Sequence, residues 1–472
     1  MKIAFFKKTA ILATCFLVGS CNQLVQIEPR QSVDSTRALN SLEAIQSAVT
    51  NVYSYLKSTV IYGRDLVATA EALGDNSRII NRAGGRYVNQ GNNVIGSHIG
   101  GWQTYYILIN EINLTLEALP KVNMPATDKT TTEGELKGIR ALTYFNLART
   151  FGWDPGAIAS PNFGAVPIVR TGTLLPEQIT FPARNSIEEV YRFIYEDLAE
   201  ATTKAPTTGG PHRITRGAAF AIFAKVALYR GDWANAARYA TEAINARVGV
   251  FVPNASYVSA WRDRVHPESI FEVLFQLEAE SQGVNESNQS AFTTRASLTS
   301  TALGGWGAVV PTAAFLALHQ PGDVRRQLYQ LGVNRANAVV EECTKFMGKT
   351  GTIYMDNVPV VRVSEMILTR AEALARSNTN LAQALDDVNA IRTRAGLAPA
   401  TGLSGQALLD EILLQRRLEL AFEGDRWFDL KRRGENVTKA TGNLQYGDAR
   451  YLAPLPNREI QVNPSLVQNA GY

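Results

Sequence analysis

The chain has 472 residues, 45% hydrophobic and 19% charged, which is ordinary globular material. Its formal net charge of +4 includes Lys2, Lys7 and Lys8; without them 44 basic residues face 43 acidic ones, a balance that excludes a nucleic-acid footprint. Three cysteines give no disulfide framework, so the fold must rest on its apolar core.

The first twenty residues read as a leader. Lys2, Lys7 and Lys8 precede an apolar run from Ala10 to Val18, and small residues Gly19 and Ser20 close it. A charged start, a short apolar core and a small-residue end describe a secretory signal. The run is too short for a membrane-spanning helix, which needs about 20 apolar residues. Leu17-Val18-Gly19-Ser20-Cys21 resembles the lipobox of bacterial lipoproteins, which predicts cleavage before Cys21 and a lipid on its thiol. Several acyl chains on one residue, at about 0.8 kcal/mol per buried CH₂, hold a soluble domain on a membrane. Cys15 would leave with the leader. Cys343 follows Glu341 and Glu342, which predicts a raised thiol pKa and a structural role.

Most of the remainder has helical spacing. Ser41 to Leu56 places Leu42, Ile45, Val49, Val52 and Leu56 on one face. Tyr105 to Leu119 repeats the pattern and Pro120 ends it; Glu133 to Phe151 is a third helix, stopped at Gly152. Ser186 to Thr202 is a fourth, with Asn185 or Ser186 as cap and Glu188 and Glu189 in its first turn. Gly217 to Asn245 reads as two helices meeting at Arg230-Gly231-Asp232, with alanines where they cross. Val363 to Arg394 repeats that plan around a polar break at Ser377 to Asn380. Such hairpins are of the tetratricopeptide kind and stack into a curved solenoid, because one alone cannot bury both faces. Residues 1–20 are thus expected to be a signal peptide, 21–40 a lipidated tether and 41–472 a single helical domain.

Three long stretches lack helical period: Gly74 to Gly101, Trp153 to Pro182 and Gly283 to Pro311. Loops of this length in a compact domain are uncommon unless they serve function. A helical frame carrying polar and aromatic loops suits a binding protein.

Catalytic and cofactor signals are missing from the sequence. His98, His212, His266 and His319 have no metal-site spacing and no cysteine companions. Neither a Gly-x-Ser-x-Gly elbow nor a phosphate-binding Gly-x-x-x-x-Gly-Lys loop occurs. Glu419 and Glu423 could be weighed as a glycosidase pair, but Arg416, Arg417 and Arg426 around them favour a salt-bridged helix face. Asp386 and Asp387 are adjacent and point apart on a helix. No enzyme, cofactor or metal site is expected.

Gln415 to Arg432 reads Q-R-R-L-E-L-A-F-E-G-D-R-W-F-D-L-K-R. The segment Tyr451-Leu452-Ala453-Pro454-Leu455-Pro456, with Glu459-Ile460, Asn463-Pro464 and Gln468-Asn469-Ala470-Gly471-Tyr472, closes the chain. With Val363 to Ala373 upstream and Arg140-Ala141-Leu142-Thr143-Tyr144-Phe145 further back, these motifs resemble the SusD/RagB family of lipid-anchored nutrient-binding proteins of Bacteroidetes. Gln415 stands where the family has Glu. Read from the residues alone, the signature is structural: Phe422, Trp427, Phe428 and Leu430 are core, and Arg416, Glu419, Glu423 and Arg426 form buried or half-buried ion pairs.

The resemblance implies an all-α fold of about four tetratricopeptide-like hairpins on one side, with long loops and minor β structure on the ligand side. It implies a protein on the outer face of the outer membrane, lying as a lid over a TonB-dependent, SusC-like transporter and passing it oligosaccharides; peptides are the alternative cargo, and a lipid-anchored glycosidase is the rival class. The ligand loops (74–104 and 283–311) would supply Asp75, Asn76, Arg78, Arg82, Tyr87, Trp102, Phe292 and Trp306, with rings for stacking and polar groups for hydroxyls.

Overall fold

The structure is a computed structural model that describes residues 39–349 and 352–472. The leader, Cys21 and most of the tether lie outside the described residues. The first helix, α1 (Leu42–Leu56), buries Ile45, Val49, Val52 and Leu56, the stripe that its spacing dictates. Ser41 caps it by accepting from the Ala44 amide at 3.2 Å. Its partner α2 (Trp102–Ala118) arrives only after the intervening loop, so this hairpin is split in sequence and joined in space.

The second pair is α3 (Ala126–Phe151) and α4 (Ile187–Lys204). Helix α3 starts seven residues before the predicted Glu133, because its first two turns stand out from the core and carry Thr and Lys without apolar period. Ser186 and Glu189 close α4 reciprocally: the Glu189 amide donates to Ser186 Oγ at 3.2 Å and the Ser186 amide to Glu189 Oε2 at 2.8 Å. Helices α5 (Arg216–Arg230) and α6 (Trp233–Asn245) meet at Gly231. Ala224, Ala227, Ala236, Ala240 and Ala243 are buried there. Helices α7 (Val363–Arg376) and α8 (Leu381–Arg394) form the fourth pair. Each pair packs on the next, α2 on α3, α4 on α5 and α6 on α7, which makes the solenoid. After it come α9 (Gly405–Glu419), packed on α7 and α8, and the short α10 (Arg426–Arg432).

The β structure consists of two-stranded antiparallel ribbons. Strand β1 (Ser77–Ile79) pairs with β3 (Val309–Pro311), and β2 (Ser269–Val273) with β6 (Val358–Arg362). Strand β4 (Tyr329–Leu331) pairs with β5 (Glu341–Cys343), and β7 (Val437–Lys439) with β8 (Gly442–Leu444). The fold is all-α in class, with TPR-like hairpins and short two-stranded ribbons between the helices. Cys343 is fully buried at the end of β5, and burial pushes its thiol up to about 12. The direction agrees with the sequence; the main cause is desolvation, not the adjacent carboxylates.

The signature is buried in ion pairs, but with partners the sequence did not indicate. Glu419 is paired not with Arg416 or Arg417 but with Arg362 and Arg394, each at 2.7 Å. Glu423 takes Arg362 at 2.8 Å and Lys345 at 2.6 Å. Arg416 turns instead to Asp429 at 2.8 Å and Glu365 at 3.3 Å. Asp387 is buried against Arg370 at 2.7 Å while Asp386 is exposed, as adjacency on a helix requires.

Glu372, buried on α7, accepts from Arg432 at 2.7 and 2.8 Å and from Arg376 at 2.8 Å. Burial alone would raise its carboxyl; Arg432 and Arg376 outweigh that and pull it from 4.5 to about 2. A depressed carboxyl stabilises the fold above its unfolded pKa, and the gain disappears as pH falls toward the folded value. The urea midpoint is therefore expected to fall between about pH 5 and about pH 2, and a Glu372→Gln variant to show a shallower fall.

Candidate ligand-binding site

The short helix Ala70–Leu73 ends at Gly74, and the chain then runs through Asp75 into β1. Asp75 receives Arg426 in a bidentate grip, from Nε at 2.6 Å and Nη2 at 2.9 Å, and Arg417 lies 3.4 Å away. Burial works to raise its carboxyl, but Arg426 and Arg417 outweigh it and lower it. Asn76 is fully buried, and its Oδ1 accepts from Arg417 Nε at 2.7 Å. Both residues therefore fasten the first loop to the C-terminal signature.

Four of the other expected contact residues are interior. Arg82 is buried, donating to Glu342 at 2.6 Å, to the Gly307 carbonyl at 3.1 Å and to the Ala338 carbonyl at 2.7 Å. Tyr87 is buried at a left-handed backbone position. Trp102 packs edge-on against Phe151 at 4.9 Å, and Phe292 against Phe422 at 5.2 Å with no exposed surface. These two rings are core, which corrects their assignment as stacking surfaces: Trp102 opens α2 on its buried face, and Phe292 ends the short helix Asn288–Phe292, all five residues of which are buried.

Arg78 and Trp306 are different. Arg78 is exposed on β1, and its guanidinium has no hydrogen bond among the described residues. It lines a cavity of about 630 Å³ shared with Asp75, Asn81, Asn92, Thr312 and the β7–β8 hairpin. That volume is within the usual range of small-ligand pockets, about 300–1,000 Å³. Asn92, Thr438 and Thr441 make no side-chain hydrogen bonds among the described residues, so their donors and acceptors are free for a guest. Lys439 enters from the hairpin and gives two hydrogen bonds, to the Ala72 carbonyl at 2.8 Å and the Gly91 carbonyl at 2.9 Å. Burial draws its ammonium down to about 7, against the opposing pull of Asp75 and Glu71.

Trp306 is half-buried just before β3, with Arg335 stacked over its ring at 3.8 Å. Its Nε1 donates to Asn285 Oδ1 at 3.2 Å, and Arg335 Nη1 donates to the Gly305 carbonyl at 3.0 Å. Ribbon β1–β3 draws one strand from each of the two loops singled out in the sequence, which brings the cavity and the Trp306 segment onto one ribbon. The sequence reading missed Asn81, Asn92, Thr312, Thr438, Lys439 and Thr441. The only signal for Lys439 was the alternation of Val437-Thr438-Lys439 before a short turn, which is weak in so short a strand.

Glu419 and Glu423, the carboxylates that a glycosidase reading would use, lie elsewhere and have almost no exposed side-chain surface. Each is spent on cations.

Comparison with known proteins decides the lineage. Residues 335–472 match the model described as SusD family, and residues 26–228 match the model described as starch-binding associating with outer membrane. The chain belongs to the SusD/RagB family. SusD-like protein P2 of Formosa agariphila is 25% identical over 517 residues, covering 99% of each chain. Among solved structures, a Bacteroides vulgatus protein named as a candidate for sugar binding is 26% identical with a TM-score of 0.79, covering 92% of this SusD-like chain and 99% of its own. A laminarin binding SusD-like protein shares the fold at a TM-score of 0.73 and 23% identity, covering 92% and 100% of the two chains.

Proposed function

We propose that this SusD-like protein binds oligosaccharides on the loop side of its helical frame. The observation that carries the reading is the cavity wall. Arg78, Asn92, Thr438 and Thr441 present hydrogen-bonding groups that nothing among the described residues uses. A saccharide offers hydroxyls to such groups and an apolar ring face to an aromatic ring. Trp306, held from one side by Arg335 and at its Nε1 by Asn285, offers a half-buried ring on the segment that leads into β3. The family model's description as starch-binding, and the naming of the Bacteroides vulgatus neighbour, support the same ligand class.

The rest of the reading concerns place and partner. Cys21 carries lipid on the outer membrane, residues 41–472 form one domain at the cell surface, and a TonB-dependent, SusC-like transporter receives the ligand. The lipobox-like end of the leader and the family model's association with outer membrane support this. Loss of membrane retention in Cys21→Ala tests the anchor, and protease shaving of intact cells tests the surface position. Binding without turnover is the proposed activity.

A thermal-shift panel of neutral and acidic oligosaccharides and of peptides tests the ligand class. A saccharide at a hundredfold excess over its Kd is expected to add about 2.7 kcal/mol of stability. Trp306→Ala should weaken that binding by about 1 kcal/mol, roughly fivefold, without lowering the melting point of the free protein by more than a few degrees. A shift with peptides alone would replace the saccharide reading with peptide uptake. Release of shorter sugars would replace it with hydrolysis.

A further inference from the structure

The cavity beside β1 has an uneven charge. Asp75 is the one carboxylate among its described lining residues, and Arg426 and Arg417 already neutralise it. Two basic side chains remain on the wall. Arg78 has no carboxylate partner among the described residues, and Lys439 is bonded only to the neutral carbonyls of Ala72 and Gly91. The exposed Arg78 and the half-buried Lys439 share this wall, and an anion partly buried against them would be screened less than one in open solvent. A neutral sugar would leave the Arg78 charge uncompensated, whereas an anionic one would pair with it and favour the protonated form of Lys439. Glu71, the next carboxylate in the direction of Lys439, is fully buried; burial pushes its carboxyl up to about 7 and draws the Lys439 ammonium down to about 7, so near neutral pH both are only partly charged and Arg78 carries the full positive charge of the wall.

We propose that this cavity takes an acidic unit of an oligosaccharide, its anionic group held by Arg78 and Lys439 while Asn81, Asn92, Thr312 and Thr441 meet ring hydroxyls. The inference rests on the saccharide reading above and narrows it to a substrate class: sugars bearing a carboxylate, as in uronic acids, or a sulfate ester. The guanidinium of Arg78 suits either group, because its planar fork donates two parallel hydrogen bonds to adjacent oxygens. An anion beside Lys439 favours its protonated form, which then adds a point charge. Its two carbonyl bonds fix the ammonium on the wall and leave its remaining proton for the guest.

Isothermal titration calorimetry on the full chain separates the outcomes with four probes: a galacturonate oligosaccharide, a sulfated galactose oligosaccharide, a neutral malto-oligosaccharide and an acidic peptide. At least one acidic saccharide is expected to bind, and the arm that binds says whether carboxylate or sulfate is the group recognised. Arg78→Gln is expected to weaken that binding by about ten- to a hundredfold, the worth of a hydrogen-bonded charge. Arg78 is exposed, so this variant keeps the fold; Lys439→Met should act in the same direction. If the neutral sugar binds as tightly as the acidic ones, the inference falls and the saccharide reading stands. If only the peptide binds, both fall. If an acidic saccharide binds and Arg78→Gln leaves its affinity unchanged, the cavity is not its site.

Discussion

Replacing Glu419 with Gln is expected to lower folding stability by about 3–5 kcal/mol, read as a fall in the urea midpoint. The reason is the charge balance around it. Arg325, Arg362, Arg394 and Lys345 face Asp323, Glu268, Glu419 and Glu423, four cations against four carboxylates in one buried cluster. Arg362 ties three segments together, reaching Glu268 at 2.9 Å, Glu419 at 2.7 Å and Glu423 at 2.8 Å. Burial would raise the Glu419 carboxyl, yet Arg394, Arg362 and Arg325 outweigh it and hold it far below the usual carboxylate range. A neutral amide of the same shape removes one negative charge and leaves one buried cation unbalanced. An uncompensated charge in the interior is the costly case; the intact pair is not itself strongly stabilising. Arg170→Gln provides the contrast. Its partner Glu196 is 3.1 Å away, but both side chains are about half exposed, at 59% and 49%. That change should cost less than about 1 kcal/mol.

The helices were legible because their stripes obey one period. Ile45, Val49, Val52 and Leu56 are buried where spacing puts them, and Ser186 caps α4 where the first-turn acids suggested. Helix starts without apolar period were not legible, as the early beginning of α3 at Ala126 illustrates. The loop side resisted for a different reason. Asp75 looked like a free ligand group in a turn, but its partner Arg426 is 351 residues away. Nothing local distinguishes a carboxylate awaiting a sugar from one awaiting an arginine. Aromatics suffer the same ambiguity: Trp102, Phe292 and Trp306 all sit near loop residues, and only Trp306 keeps part of its ring in solvent. The cavity was hidden because its walls come from four separate segments, two of them short strands.

Replacing Gly424 with Ala is the second large effect, and it explains why the signature has glycine between Glu423 and Asp425. The residue follows α9 in the turn that reverses the chain into α10, with φ at +90°. A side chain in that region carries strain of about 1–3 kcal/mol. Space is the second obstacle. A Cβ here would stand 2.2 Å from the Leu66 carbonyl oxygen and 2.9 Å from Val67 Cα, both backbone atoms that no rotamer change can move. Relieving the clash means separating the signature turn from the segment around Leu66, and overpacking of that kind adds about 1–3 kcal/mol. Gly424→Ala is therefore expected to lose about 3 kcal/mol or more, or to fail to fold. Gly402 isolates the two contributions: its φ is +69°, but nothing lies within 4 Å of its would-be Cβ. Gly402→Ala should show the strain alone, about 1 kcal/mol. Equal losses in the two variants, measured by thermal and urea unfolding, would mean that the turn yields to the methyl group and that close backbone approach is not what requires Gly424. A larger loss at Gly424 places the requirement in the contact with Leu66, where the signature meets the segment leading into Asp75 and the first ligand loop.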